Sequence, residues 1–265
     1  MDVTAVDRSA VLGNTPLHHA APRSKLVASA LLIAAVVVVD DPLVAAGIAL
    51  SLAGAAAAVR LPLRQMLPLA AYPAVFALIF ALATAPGPVT GALFVLKAVT
   101  AALAVVTLMF STPYPQVFAP IQRITPTIVG DTLLMTYRSV FLLAEKFGDL
   151  LRAVRLRSGV SRRQPVRAAQ GTARALGGLL LYSLDLSQRE YDILRLRGYE
   201  GGLRVSPVRS KDPAMDAAAI TYAALLFGIA LLFSLRPSLA PYSWLAAGAG
   251  MLDLAFGLLI GRRRS

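Results

Sequence analysis

Six stretches of nearly uninterrupted apolar sequence, at 26–39, 43–59, 66–84, 89–110, 217–235 and 244–260, constrain this chain more than any motif does. Each is bounded by charge, proline or glycine. In hydrocarbon, every backbone N–H and C=O must be paired within the segment that carries it, so such runs fold as helices. Barrel strands would alternate apolar and polar residues with period two, and none of the runs does so for long. A span needs about 20 residues, within about 17–25. The first run is short and extends back through Lys25, whose amine can reach the interface. Gly47, Ser51 and Gly54 make the second run suited to close helix packing in lipid. Pro68 and Pro73 interrupt the third, and Pro86, Gly87 and Pro88 turn the chain into the fourth.

The reading is therefore an all-α integral membrane protein with about six transmembrane helices. At 15% charged residues, the chain lies well below the roughly 25% of soluble domains. Its net charge of +12 would point to nucleic acid on a soluble protein. Here the basic residues sort by side instead. Six spans place Arg23, Lys25, Arg60, Arg64, the long basic region and Arg262, Arg263 and Arg264 inside. Asp40, Asp41, the Pro-Gly-Pro turn and Arg236 fall outside. That distribution follows the positive-inside bias and makes both termini cytoplasmic.

With no cysteine, disulfides, thiolate catalysis and cysteine-type zinc sites are excluded. Residues 1–22 are expected to be disordered, and they lack the apolar core of a signal peptide. His18 and His19 are adjacent and diverge in either helix or strand, so no metal site is expected there. Lys97 in the fourth run and Asp253 in the last are ionisable groups at membrane depth, which are functional candidates by default. Both also lie near enough to a span end to snorkel.

Between the fourth and fifth runs, residues 111–213 form a cytoplasmic helical domain with sixteen Lys/Arg and eight Asp/Glu. The remaining divisions are N-terminal transmembrane helices at 23–110 and C-terminal ones at 214–265. A short amphipathic helix, PQVFAPIQRI, is interrupted by Pro120. Leu143, Phe147, Leu150 and Val154 then recur at spacings of four, three and four, one face of a longer helix. A basic phrase occurs twice in this domain, as LLRAVRLRSGV and YDILRLRGYEG. Its core is Arg155, Leu156, Arg157 and Ser158, then Arg195, Leu196, Arg197 and Gly198 forty positions on.

In each copy an apolar patch precedes an arginine on the same face: Ala153 and Val154 before Arg157, Ile193 and Leu194 before Arg197. Gly159 and Gly198 stand in helix-stop positions. Arg155 and Arg195 turn about 200° away. Cations at helix C-termini complement the macrodipole, but the repetition favours two equivalent docking contacts. The rigid five-donor guanidinium suits an acceptor-lined pocket.

In this order and spacing the motifs resemble those of the transmembrane T component of energy-coupling factor transporters, in its cobalt-type, CbiQ-like branch. That family carries two Ala-Arg-Ser/Gly motifs at the ends of cytoplasmic coupling helices. Here they are Leu156-Arg157-Ser158 and Leu196-Arg197-Gly198, with Leu in place of the usual Ala. MTYRSVFLLAEKFGDLLRAVRLRSG and RLRGYEGGLR fit as well, and the likeness runs from about Pro22 to the C-terminus. The resemblance implies a coupling domain with two long crossed helices, whose arginines dock on two cytoplasmic ABC ATPase subunits. The third partner is a membrane-embedded, substrate-binding S component. It also implies a non-catalytic subunit in a prokaryotic plasma membrane, importing cobalt or nickel ion or serving several vitamin-specific S components. ATP and magnesium would sit on the partners, and no cofactor or metal on this chain. In agreement, there is no G-x-x-x-x-G-K-[ST] phosphate loop.

Two other readings compete. An intramembrane enzyme would need Lys97 and Asp253 to meet a further polar group, and H-E-x-x-H and G-x-S-x-G are both missing. A basic protein binding anionic lipid or nucleic acid is opposed by the interspersed Glu145, Asp149, Asp192 and Glu200.

Overall fold

The computed structural model describes residues 15–121, 125–158, 165–203 and 212–263. The described residues are helices, turns and short connections, without strands. In chain order the helices are α1 (Pro22–Val38), α2 (Pro42–Ala58), α3 (Leu63–Thr84), α4 (Pro88–Ser111) and α5 (Tyr114–Ile121). There follow α6 (Thr127–Ser158), α7 (Pro165–Leu196), α8 (Pro213–Leu235) and α9 (Ser243–Arg263). They form two compact units: unit 1, Met1–Val117 with Pro207–Ser265, and unit 2, Phe118–Ser206.

Unit 1 is built around α2, which packs against α9 and α4, while α1 packs against α8 and α4. The α2–α9 seam is made by glycines. A Cβ on Gly54 would lie 2.6 Å from the carbonyl of Asp253, and those on Gly47, Gly250 and Gly257 would collide with facing backbone. Gly47 faces Ala246 and Gly250, and Gly54 faces Asp253 and Gly257, so the two helices run parallel. This is the close approach that small residues permit where lipid gives no hydrophobic drive to association.

Directions elsewhere in unit 1 follow from side-chain contacts. Lys25 in the first turn of α1 meets the end of α4, and Lys97 near the start of α4 meets the end of α1, so these helices are antiparallel. Asp216 in the first turn of α8 meets Ala21 and Ser24 at the start of α1, so α1 and α8 are parallel. The end of α4 and the start of α8 therefore lie at one end of unit 1.

Five helices are long and apolar enough to cross a membrane: α3, α4, α8, α9 over Ser243–Ile260, and α6 over Thr127–Leu156. This differs from expectation in two ways. First, α1 and α2 have only 17 residues each, about 26 Å of helix. They nonetheless run alongside α8 and α9 with matched direction. Second, α6, expected within the cytoplasmic region, reaches span length and apolarity, although it is the least apolar of the five and carries Arg138, Glu145, Lys146, Asp149 and Arg152 along its length.

The N-terminal region also needs correction where it is described. Pro16–His19 is a 3-10 turn rather than disordered chain. Leu17 packs on the core and Ala20 is buried, so this stretch has apolar area to anchor it. Residues 1–14 lie outside the described residues.

Gly54→Ala is expected to lower stability by about 1–3 kcal/mol, the usual cost of overpacking. Gly228→Ala, where a Cβ meets open space, is expected to be neutral or stabilising. Thermal unfolding of the detergent-solubilised chain, followed by size-exclusion, distinguishes the two.

Candidate docking site at the two arginine motifs

In unit 2, α6 and α7 are each 32 residues long, about 48 Å. Their register is set by a few contacts. Ser139 Oγ donates to Glu190 Oε2 at 3.1 Å, with Arg138 Nε 3.8 Å from the same carboxylate. Gly178 lies against the Leu150 side chain. These pairings make the helices antiparallel. The end of α6 and the end of α7 therefore fall at opposite ends of the pair. Arg157 and Arg197 are separated along the axis by about 38 Å at a rise of about 1.5 Å per residue.

The second motif is closed by a glycine turn. Tyr199 N–H donates to Leu194 O at 3.0 Å and Gly198 N–H to Arg195 O at 3.1 Å, the bond pair of a Schellman motif. Gly198 has φ +70°, and Gly201 and Gly202 follow with φ +98° and +100°, the region where only glycine is free of Cβ strain. Arg197 is exposed on this turn. Ser158 ends α6 in the first motif. Gly159, its expected stop, and the side chains of Arg157 and Ser158 lie outside the described residues.

A buried carboxylate holds the second turn. Asp131, in the first turns of α6 and 6% exposed, accepts from the Tyr199 hydroxyl, from Gly202 N–H at 2.9 Å and from Leu203 N–H at 2.7 Å. The hydrogen bond to this carboxylate, helped by desolvation, pushes the Tyr199 phenol above its ordinary pKa. Sequence reading missed Asp131. It sits 66 residues from Arg197 in the chain, and only the antiparallel pairing brings α6's start to α7's end.

The helix face that leads to the first motif packs in part on α7, and the apolar residues beside each motif are partly covered. Leu143, Phe147, Leu150 and Val154 are all half-buried, and Leu150 is spent on Gly178 of α7. Leu194 is likewise half-buried, while Ala153 and Ile193 are exposed. The motif leucines point the other way. Leu156 and Leu196 are 86% and 87% exposed, more than any other large apolar side chain among the described residues. Each stands two residues from a half-buried neighbour, Val154 or Leu194, about 200° around the helix. The spacing from Val154 was a signal available in the sequence. Each exposed leucine stands between two arginines in the sequence, and Arg155, Arg195 and Arg197 are exposed like the leucines beside them.

Neither intramembrane charge belongs to this site. Lys97 Nζ donates to Val37 O at 3.1 Å and lies 3.8 Å from Asp40. It thus satisfies a carbonyl at the end of α1, where a cation also complements the helix dipole. Asp253 is exposed on α9 beside Gly54, toward the opposite end of unit 1. The two groups do not meet each other: Lys97 pairs with Asp40, and Asp253 interacts electrostatically with Tyr222.

The family model described as cobalt transport protein, CbiQ, matches residues 13–207. The chain belongs to the CbiQ family. The match takes in α1 to α7 and both arginine motifs, and ends before α8 and α9. The cobalt transport protein CbiQ of Rhodobacter capsulatus is 31% identical over 124 residues, 46% of this chain and 50% of that protein. The chain thus spans about half the length of that relative in the matched region. Family membership and the helices long enough to cross a bilayer make this CbiQ family member a multi-pass membrane protein.

Asp131→Ala is expected to remove the acceptor shared by Tyr199, Gly202 and Leu203 and to destabilise the turn by about 3 kcal/mol, with Tyr199→Phe costing about 1–2 kcal/mol. Faster hydrogen exchange at Gly202 and Leu203 in the full chain, in that order of variants, checks this.

Proposed function

We propose that this CbiQ family member is the T component of an energy-coupling factor importer. In this reading it is a non-catalytic subunit in a prokaryotic plasma membrane, with both termini in the cytoplasm. Unit 2 engages two cytoplasmic ABC ATPase subunits, one through each motif. The ATPases bind and hydrolyse ATP with magnesium, and their movement is passed to a membrane-embedded S component that carries the substrate. The family description and the Rhodobacter capsulatus relative favour cobalt ion, or nickel of like charge and size, as cargo.

The observation that carries the reading is the placement of two equivalent knobs, Leu156 and Leu196, at opposite ends of one antiparallel pair. A single binding site would bring its determinants together. Two contacts separated by about 38 Å suit two separate partner subunits. At each contact the leucine fills an apolar pocket, and the arginine, with its fork of donors, takes acceptors at the pocket's edge. Exposing a leucine to water forgoes roughly 1.5–3 kcal/mol of burial, and doing so twice at matched positions favours a partner that covers both. The exposed Leu180, Leu181 and Leu184 of α7 supply further apolar surface of the kind an S component could cover.

Arg157→Ala and Arg197→Ala are each expected to weaken association with the ATPases by about 2 kcal/mol, roughly 30-fold. Leu156→Asp and Leu196→Asp are expected to do the same, and the double arginine variant to abolish cobalt uptake in cells expressing the full transporter. Undiminished co-purification of the ATPases with the double arginine variant would sink this reading.

A further inference from the structure

The last residue of α4 and the first turn of α8, the helix ends of unit 1 that flank the segment between them, are both tied to α1 by one polar junction. Asp216, in the first turn of α8, accepts from the Ala21 backbone N–H at 2.6 Å and from Ser24 Oγ at 2.7 Å. Ala21 is the N-cap residue of α1 and has no side-chain cap of its own; alanine is among the poorest residues there. The carboxylate that a capping box would supply from within the helix is delivered by α8. One residue further along α1, Lys25 is 5% exposed, and its ammonium donates to Ser111 O at 2.8 Å. Ser111 is the last residue of α4, so the lysine satisfies one of the orphan carbonyls at that end. Asp216 and Lys25 also interact electrostatically.

Beside the junction, α1, α2, α4 and α8 leave a cavity of about 310 Å³, lined by Lys25 itself with Ala28, Ala104, Thr107, Ala219 and Tyr222. Aliphatic contact across a void is weak, so at this end of unit 1 the polar contacts add to the packing of α1 on α8 and α4 further along. A half-buried carboxylate and a buried ammonium, each held by directional partners, resist sliding in a way that apolar contact alone does not.

We propose that Asp216 and Lys25 are positioning residues that form the mechanical root of the coupling unit: they stay closed and pass movement of unit 2 into α1. This rests on the reading of the chain as a T component. The expected signature is uncoupling. Asp216→Ala should leave co-purified ATPases and their ATP hydrolysis unchanged while cobalt uptake falls about tenfold, and Asp216→Asn, which keeps one acceptor, should fall between the two. A merely structural role would lower uptake, hydrolysis and membrane abundance together, and that result, or wild-type uptake by Asp216→Ala, overturns the proposal.

A second measurement needs no partner. The chain has no cysteine, so Ala28→Cys, at a buried position one turn above Ser24, introduces a single thiol. It should resist a maleimide in the otherwise native chain and react once Asp216→Ala is added. Equal protection in both backgrounds overturns the junction's role, whereas loss of ATPase association by the unmodified chain would count against the T-component reading alone.

Discussion

The absence of hydrogen-bonding solvent in a bilayer core is the constraint on which the rest depends. It forces each spanning segment to pair its own backbone, hence to be helical, and to run from one face to the other. Direction then becomes a discrete quantity. Parallel pairs α1 with α8 and α2 with α9, and the antiparallel pair α1 with α4, are mutually consistent only if the segment between α4 and α8 departs and returns at the same end of unit 1. The contacts that report these directions, Lys25 to Ser111 O and Asp216 to Ala21 N–H, lie at that same end. Lys97 satisfies the carbonyls at the other end of α1. The polar contacts of Lys25, Asp216 and Lys97 thus fall at helix ends, and glycine makes the long interior seam between α2 and α9.

Unit 2 obeys different rules. Its two long helices carry charge along their length and are held by an antiparallel seam with few anchors: Glu190 with Ser139, and Gly178 with Leu150. Such a pair has its two helix C-termini far apart, which places the two copies of the sequence repeat at opposite ends. The Asp131 clasp shows why the second copy has a defined shape. The turn that carries Gly198, Gly201 and Gly202 at positive φ is pinned by one carboxylate from the opposite helix, through Tyr199, Gly202 and Leu203.

Much of this was legible beforehand, for reasons that differ by residue. Apolar runs announced most of the helices because length and hydropathy are local properties. Gly198 announced its turn because a left-handed backbone excludes other side chains. The glycines of the second run announced close packing, but not with what. By contrast, the face bearing Val154 and Leu150 was read as a docking surface, since periodicity says that a face is buried and not what buries it. The leucines at 156 and 196 passed as a departure from a family pattern, although they prove to be the most exposed large apolar side chains described.

What the sequence by itself determined is the class of the protein, the order of its helices, the family to which it belongs and the two arginine motifs. These follow from composition, period and short strings, each set by neighbours within a few residues. Only the tertiary structure decided that α2 and α9 meet backbone to backbone, that Asp131 clasps the turn after Arg197, 66 residues further along the chain, and that Asp216 caps α1 at Ala21, 195 residues earlier. Those contacts join positions distant in the chain, and their partners are selected by helix direction and register, which no local pattern encodes.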